Sequence, residues 1–396
     1  MDLATAYALT SAEGERALTL AGSFSDPSSL AAGAHLRKHF PADLAAAALE
    51  QVVLRRRVRP RVGAQADEML WTPDSAEQAT RHEVSRWRAA RLVSAGVRQV
   101  IDLTVGAGVD ARAFLDAGLA VLAVERDPTT AHLAGHNLPG VRVLTGDAAD
   151  LAPQLLGGAD PCTCVFLDPA RRTPRGRSWR LADISPSWDF VLGQLTAPYS
   201  ACVKVAPGVP REELPAGVDA SWVSVRRELL ECCLWHLPGQ SSGRRSAVLL
   251  DAALPGGQLQ VDAHPTPWRI PVAAPGRWLY EPDPALIRAD ALDVLARQGG
   301  LWRLAPSVAY LSGENYLDTP LARAFEVLEV LDYKLPVLRT WVRTHQVGIL
   351  EIKKRAVDLD PAWLRRQLRP AGPNQATLVL TPTVDGARAL VVRRVP

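Results

Sequence analysis

Four acidic side chains lie at or just after the ends of four successive apolar runs in the first half of the chain. In chain order they are Asp102, Glu125, Asp147 and Asp168. Short apolar runs that alternate with helical patterns predict parallel strands, and such sheets bind ligands outside the carboxyl ends of their strands. The four carboxylates are therefore expected to line one crevice. The alternative is that they are helix caps and loop acids.

A glycine turn follows the first run, in the sequence Ile-Asp-Leu-Thr-Val-Gly-Ala-Gly-Val-Asp at 101–110. Gly106 and Gly108 would let the backbone approach a ligand closely and leave N–H groups free at the start of the next helix. Asp102 could accept a hydrogen bond from a ligand amino group, directly or through water. Glu125 could hold both hydroxyls of a ribose, as acids do at the same strand end of dinucleotide sites. The segment 101–127 is therefore predicted to form a cofactor site.

The turn lacks the third glycine of a dinucleotide fingerprint, since Asp110, Ala111 and Arg112 follow Gly108. That glycine helps to accommodate a pyrophosphate at the helix start, and Asp110 would repel a phosphate. S-adenosylmethionine (SAM) has no phosphate and carries a cationic sulfonium and an ammonium group. The acid-rich crevice therefore favours SAM over NAD.

The alternation of apolar runs with helical stretches predicts a doubly wound α/β sheet of seven strands, of the Rossmann-like kind. Nearly continuous apolar runs are typical of parallel strands covered on both faces. The expected strands are 100–103, 120–125, 141–145, 164–168, 201–206, 222–230 and 246–252.

Three further regions complete the predicted organisation around the α/β domain, which is expected at 96–253. Residues 1–95 are expected to be helical, with one helix at 76–95. Residues 254–333 are expected to form a connector rich in Pro and Gly and a small ferredoxin-like region. Within it, residues 278–282 are expected to open a helical stretch at 284–297, and short strands and a helix near 319–331 should follow. Residues 334–396 are expected to form a small α+β domain in the order helix, strand, helix and two strands.

Bulk properties exclude several classes of protein. The chain has 396 residues, a net charge of +3 and five cysteines, without the paired CxxC spacing of a structural zinc site. His132, His136 and His236 have no metal-ligand spacing either. The N-terminus lacks the pattern of a signal peptide, and no stretch approaches the roughly 20 apolar residues of a membrane span. We expect a cytoplasmic protein without a metal or a membrane partner; the oligomeric state is left open.

Residues 102–108 resemble the first motif of class I SAM-dependent methyltransferases, with Thr104 where many members have glycine. The Asp-Leu-Thr-x-Gly-x-Gly version is similar to that of RNA-modifying members. The resemblance implies cofactor contacts for this motif, for Glu125 at the ribose and for Asp147 at the adenine amino group. The residues assigned to the cofactor are Asp102, Thr104, Gly106, Gly108, Glu125, Arg126, Asp147, Ala148 and Asp168.

A fourth motif, Phe-Leu-Asp-Pro-Ala-Arg-Arg at 166–172, stands where amino-group methyltransferases have Asn/Asp-Pro-Pro-aromatic. With further matches, it resembles a bacterial family of class I methyltransferases that carry a C-terminal THUMP-like domain. These matches are at 71–73, 181–186, 204–207, 228–231, 280–283, 351–355 and 391–394. The resemblance runs from about residue 50 to the end. THUMP domains are RNA-binding modules of tRNA-modifying enzymes, so the resemblance implies an RNA partner.

The fourth motif implies that Asp168, on a backbone stiffened by Pro169, accepts a hydrogen bond from the target nitrogen and orients it for methyl transfer. Ala170, Arg171 and Arg172 replace the usual proline and aromatic ring. This removes a stacking face for a base and adds two cations that could clamp a phosphate or carboxylate. The alternative is that either arginine pairs with Asp183 or Glu228 inside the fold.

No cysteine follows Asp168 and Pro169, so a covalent pyrimidine mechanism is not indicated. Cys164, inside an apolar strand, is expected to be core, as are Cys232 and Cys233.

The favoured function is a SAM-dependent methyltransferase acting on tRNA or rRNA. Two arginine runs support it as phosphate-binding surfaces; the alternative for such runs is a solvated face or a helix C-terminus. They consist of Arg55, Arg56, Arg57, Arg59 and Arg61, and of Arg171, Arg172, Arg175, Arg177 and Arg180. Two other functions stay open: methylation of a small molecule or protein, and RNA binding by a methyltransferase fold that has lost turnover.

Overall fold

The structure is a computed structural model that describes residues 1–170, 172–173, 176–177 and 183–395. The chain folds into two compact units. The first comprises Met1–Ala220 with Glu231–Gly243, and the second Ser221–Leu230 with Arg244–Pro396.

The first unit opens with six helices. They are α1 Leu3–Leu9, α2 Ala12–Gly22, α3 Leu30–Leu36, α4 Ala42–Val62, α5 Pro73–Gln78 and α6 His82–Ser94. Asp2, Ser11, Ser29 and Thr72 cap four of them by accepting a backbone N–H. The helix predicted at 76–95 is present from His82 to Ser94, but it does not start at 76, because the backbone of Ala79 is not helical (φ −52°, ψ 125°) and separates α5 from α6.

Residues 99–262 form alternating strands and helices and contribute all strands of the large sheet. In chain order they are β1 Gln99–Asp102, α7 Val109–Asp116, β2 Ala120–Glu125, α8 Pro128–Asn137, β3 Arg142–Thr145, α9 Ala148–Leu155, β4 Thr163–Leu167, β5 Arg172–Thr173, β6 Gly176–Arg177, α10 Trp188–Gln194, β7 Ser200–Val205, β8 Asp219–Val225, β9 Glu228–His236, β10 Arg245–Leu250 and β11 Gln258–Asp262. The large sheet has the order β11-β10-β8-β9-β7-β4-β1-β2-β3. Strands β3, β2, β1, β4 and β7 are parallel, so their carboxyl ends share one edge.

The large sheet has nine strands among the described residues, not the seven predicted. The strand expected at 222–230 is instead parts of β8 and β9, which are separated by Arg226 and Arg227 at φ 49° and 69°. Glycine or asparagine usually marks such a turn, and neither is present. Strand β11 was read as part of the connector, but it alternates half-buried and exposed residues and pairs antiparallel with β10.

The second unit contains a seven-stranded sheet in the order β13-β14-β12-β15-β18-β17-β16. Its elements are β12 Trp278–Pro282, α11 Pro284–Ala289, α12 Leu292–Gly299, β13 Trp302–Arg303, β14 Leu311–Gly313, β15 Ala322–Asp332, α13 Leu335–Thr344, β16 Val347–Lys354, α14 Pro361–Leu368, β17 Asn374–Thr383 and β18 Gly386–Arg394. Leu338 and Leu364 pack with sheet residues such as Leu378 and Val391 in one core.

The helix–strand–helix–strand–strand order predicted after residue 334 is confirmed. The helical stretch expected at 284–297 is present as α11 and α12. The helix expected near 319–331 is wrong, because β15 pairs with β12 on one edge and with β18 on the other. Pairing on both edges of β15 overrides the local spacing of its leucines. No helix in the described part of the chain is long and apolar enough to cross a bilayer.

Candidate active site

One cavity lies at the carboxyl ends of the parallel strands and encloses about 1040 Å³, part of it open to solvent. All nine residues assigned to the cofactor from the sequence line it: Asp102, Thr104, Gly106, Gly108, Glu125, Arg126, Asp147, Ala148 and Asp168. Residues 72–80 of the helical region, including Thr72 and Ser75, form another part of its wall. The structure therefore brings the four strand-end acids to one crevice.

The glycine turn leaves β1 with two left-handed residues, Gly106 at φ 55° and Gly108 at φ 92°. Nothing lies within 4 Å of a Cβ built on Gly106, so this backbone is open to a ligand. A Cβ on Gly108 would lie 2.9 Å from Leu138 Cδ1, so only glycine fits there without displacing that side chain.

The carboxylate of Glu125 is fixed by two backbone N–H groups. Gly106 N donates to Oε2 and Asp127 N to Oε1, both at 3.0 Å. Each oxygen keeps a further acceptor site, and the side chain lines the cavity. Asp147 both lines the cavity and caps α9 by accepting from Ala149 N at 2.9 Å, so the helix-cap alternative holds for this acid.

Asp102 is 1% exposed and accepts a hydrogen bond from Thr104 N at 3.0 Å. Burial raises the pKa of Asp102 well above its usual value, and the nearby carboxyl groups of Asp110, Asp168 and Glu125 add to this effect. A cationic ligand group beside Asp102 would relieve this unfavourable electrostatic environment.

Asp168 is held from two sides. Its N–H donates to Thr104 Oγ1 at 2.7 Å, and its Oδ2 accepts from Lys204 Nζ at 2.6 Å. Thr104, where many related motifs have glycine, thus links the end of β1 to the end of β4. The neighbouring Pro169 is buried but does not line the cavity, and Ala170 pairs with Ser185 through two backbone hydrogen bonds.

A buried charge network continues from Lys204 into the protein. Lys204 Nζ donates to Thr80 Oγ1 at 3.0 Å, and Thr80 donates to Asp110 Oδ2 at 2.7 Å. Arg88, fully buried, forms hydrogen-bonded ion pairs with both Asp110 and Glu231. Asp110 therefore meets two protein donors, Thr80 and Arg88, rather than facing a ligand alone.

Burial by itself would raise the pKa of Glu231 and lower that of Lys204. In Glu231 the cations Arg88 and Lys204 outweigh burial, so its pKa is lowered. In Lys204 the acids Asp168, Glu231 and Asp110 outweigh burial, so its pKa is raised. Both groups are therefore charged near neutral pH. The sequence signals for this network were a lysine within an apolar strand and an arginine within a helix that packs on the sheet.

Two curated relatives resemble most of this chain. Both are described as uncharacterized S-adenosylmethionine-dependent methyltransferases of Mycobacterium tuberculosis, from strains CDC 1551 and H37Rv. Each is 34% identical over 346 residues, which cover 84% of this chain and 91% of the relative. The model of the THUMP domain-like family matches residues 322–394. The chain belongs to the S-adenosylmethionine-dependent methyltransferases that carry a C-terminal THUMP-like domain.

The fold agrees with this family. A crystal structure of a protein from Porphyromonas gingivalis W83, provisionally described as a methyltransferase, superimposes with a TM-score of 0.76 at 22% identity, over 96% of this chain and 98% of that one. The THUMP-like match begins at β15, twelve residues before the predicted 334. Residues 2–58 match a family model for a domain of unknown function.

The cavity of this methyltransferase fits its cofactor, SAM. The open glycine backbone, the anchored Glu125 and the buried Asp102 offer hydrogen-bond acceptors and negative charge to an adenosine that carries cationic groups.

The first arginine run is largely occupied within the fold and is not a bare phosphate-binding surface. Arg55 Nε donates to Met69 O at 2.9 Å, Arg56 to the carbonyls of Ser25 and Phe24, and Arg61 to those of Glu77 and Ala76. Arg59 is paired with Asp67.

The second arginine run lies largely outside the part of the chain that the structure describes. Arg171, Arg175 and Arg180 lie outside the described residues. Only the backbone is described for Arg172, in β5, and for Arg177, in β6.

The wall segment before α5 is fixed by buried amide side chains. Gln51 exchanges two hydrogen bonds with the backbone of Trp71, at 2.7 and 2.8 Å. Asn137 accepts from Leu70 N and donates to Leu70 O and Ala107 O. It thereby connects the wall to the glycine turn. Sequence reasoning missed both amides, since a lone Gln or Asn in a helix carries no motif.

All five cysteines are free, and only Cys162 is partly exposed. Burial raises the pKa of the Cys164 thiol, so it stays protonated and unreactive. His132 meets Thr10 Oγ1 at 2.8 Å and His236 meets Ala197 O at 2.8 Å. No cluster of metal-ligating side chains occurs among the described residues.

Proposed function

We propose that this methyltransferase modifies RNA, with tRNA or rRNA as substrate, and that Asp168 presents the acceptor group to the methyl donor. The observation that carries the site assignment is the convergence of four strand-end acids and the open glycine turn on one cavity. The domain boundaries 96–253 for the catalytic part and 334–396 for the RNA-binding end belong to the same proposal.

SAM supplies a methyl group on a positively charged sulfur. In the proposed arrangement, Glu125 accepts from the ribose hydroxyls and Asp147 with Ala148 contacts the adenine. Asp102 faces the cationic end of the cofactor, and the backbone at Gly106 lies against it. Thr104, Gly108 and Arg126, which also line the cavity, complete the proposed set of cofactor contacts.

Asp168 is the proposed catalytic residue. Its carboxylate lines the cavity and accepts a hydrogen bond from the acceptor group, which fixes the direction of the acceptor lone pair. Pro169 stiffens the backbone beside it. Arg171 and Arg172 follow directly in the sequence and are assigned to a substrate phosphate.

Support for RNA comes from the THUMP-like match at 322–394, because THUMP domains bind RNA in tRNA-modifying enzymes. The arginine run on α4 no longer adds support, since four of its five members bond to the chain itself. This observation favours the second candidate, a small-molecule or protein substrate.

The cofactor site is tested by isothermal titration with S-adenosylhomocysteine, the product form of SAM. Glu125→Ala should weaken binding about tenfold or more, because hydrogen bonds to a charged group contribute roughly 1.5–3 kcal/mol. Glu213→Ala, at an exposed acid of the same unit, serves as control and should bind like wild type. Equal affinity for both variants would remove Glu125 from the site.

The substrate is tested by mass spectrometry of nucleosides from tRNA and rRNA of deletion and wild-type cells. One methylated nucleoside that is missing in the deletion, and restored by the purified protein with SAM, supports the proposal. An unchanged profile alongside normal cofactor binding favours a small-molecule or protein substrate. Absence of cofactor binding favours a fold without turnover.

A further inference from the structure

Lys204 is a buried cation in direct contact with the proposed catalytic carboxylate. The residue is 8% exposed, and its Nζ lies 2.6 Å from Asp168 Oδ2, 3.0 Å from Thr80 Oγ1 and 4.0 Å from Glu231 Oε2. These partners surround the ammonium group with acceptors. Nothing in the proposed function assigns it a role.

Lys204 keeps its charge in this environment. The pKa of Lys204 is raised because Asp168, Glu231 and Asp110 together outweigh its burial. An ammonium group that holds its proton throughout the neutral range cannot serve as a general base. Its role must therefore be electrostatic.

The contact leaves Asp168 with one oxygen for a substrate. Its backbone N–H is bound by Thr104, and its Oδ2 is bound by Lys204. Within the described part of the chain, no hydrogen bond reaches Oδ1. The side chain is 29% exposed and lines the cavity. An ionised carboxylate accepts hydrogen bonds and does not donate them.

We propose that Lys204 is a positioning residue for methyl transfer: it holds Asp168 as an oriented carboxylate and so selects acceptors that carry an N–H or O–H hydrogen. Thr80, Asp110, Arg88 and Glu231 in turn hold Lys204. This inference rests on the proposed role of Asp168. It disfavours acceptor atoms without a hydrogen, such as a bare ring nitrogen.

A purely structural ion pair makes a different prediction. If Lys204 only stabilised the fold, its removal would lower the melting temperature but leave the turnover rate of the folded protein unchanged. If it acts through Asp168, its removal frees the Asp168 carboxylate to rotate away from the acceptor. The turnover rate should then fall although the cofactor still binds.

The test compares Lys204→Met with Lys204→Arg, which keeps the charge, and with Lys334→Met, at a lysine whose side chain is 72% exposed. Transfer of radiolabelled methyl from SAM to total RNA of a strain lacking this protein is measured at a temperature at which every variant is folded. Lys204→Met should lose about tenfold or more of the rate at saturating SAM. Its binding of S-adenosylhomocysteine should stay within threefold of wild type. Lys204→Arg should recover most of the lost rate, and Lys334→Met should match wild type.

Failure of the RNA proposal is separable from failure of this one. If wild-type protein transfers no methyl group to RNA, the Asp168 carboxyl signal is followed instead by NMR of protein labelled with ¹³C at the aspartate carboxyl groups. The signal is identified by its loss in Asp168→Asn. Its chemical shift should change in Lys204→Met, which loses the contact with Oδ2, and should keep the wild-type value in Lys334→Met. An unchanged chemical shift, or an unchanged rate at saturating SAM, overturns the role of Lys204.

Should Lys204→Met not fold, Thr80→Val provides the same test. It removes the hydroxyl that joins Lys204 to Asp110 and should move the Asp168 signal in the same direction by less. An unmoved signal in Thr80→Val would again overturn the proposal.

Discussion

Replacement of Arg88 by methionine tests whether the buried charge network holds the first unit together. Arg88 has a fully buried side chain, pairs with Asp110 and Glu231, and lies 5.1 Å from the centroid of the Phe166 ring. Methionine keeps the aliphatic stem and removes the charge. Two buried carboxylates are then left without their shared cation.

The size of the effect follows from this arrangement. Removing one partner of a buried ion pair costs roughly 3–5 kcal/mol, because the remaining charge stays desolvated. For a unit of about 150–250 residues, each kcal/mol lowers the melting temperature by about 2–4 °C. We therefore expect Arg88→Met to melt about 6–20 °C below wild type at pH 8.

The pH dependence has a definite sign. In the wild type, the lowered pKa of Glu231 contributes stability above its unfolded pKa, and this contribution is lost as the pH falls. Without Arg88, positive charge compensates less for the burial of Glu231. Glu231 then binds a proton more readily in the folded state than in the unfolded state. The deficit of Arg88→Met should therefore shrink between pH 8 and pH 5.

The measurement is thermal unfolding followed by circular dichroism at several pH values. Arg86→Met is the matched control, since Arg86 lies on the same helix and is exposed. The triple variant Arg88→Met/Asp110→Asn/Glu231→Gln, which removes all three charges, should recover much of the loss. A melting temperature for Arg88→Met within about 2 °C of the control, or a deficit that grows toward pH 5, would contradict this account.

Two further outcomes are expected. Asp102→Asn should raise the melting temperature of the free protein at pH 8, because the pKa of Asp102 is raised and its ionisation therefore opposes folding. This gain should vanish as the pH falls below about 4, where Asp102 becomes protonated in the folded and the unfolded protein alike. The same variant should bind S-adenosylhomocysteine more weakly by titration calorimetry, and unchanged stability and affinity would contradict the assignment. In the native protein, Ellman's reagent should modify one thiol, that of Cys162, and it should modify all five after denaturation. Rapid labelling of a second thiol in the native protein would show that the sheet opens more readily than the burial of the other four cysteines indicates.

Local sequence carries most of the information about the carboxyl edge of the parallel strands. Strands β1 to β4 are short apolar segments bounded by glycines and acids, and both signals depend on residues close in the chain. This is why the four acids and the glycine turn could be placed before the fold was known. The edge where parallel strands end then brings them together without further information.

The remaining features depend on contacts between distant residues. Arg88 and Glu231 are 143 positions apart, and no local pattern indicates that a helix arginine will be buried against that strand. The turn at Arg226 and Arg227 has no glycine or asparagine to mark it. In β15, neighbouring strands decide the conformation, whereas the spacing of its leucines also fits a helix.

The buried amides Gln51 and Asn137 have a consequence for the ancestry and engineering of this enzyme. Through them, α4 and α8 fix the backbone of residues 70–71, immediately before the part of the cavity wall that starts at Thr72. A shortened protein that began at residue 96 would keep the glycine turn and the four strand-end acids yet lack one side of the cavity. The leading helices therefore belong to the same structural unit as the strand ends, and a variant that exchanged either part alone should have a more open cavity.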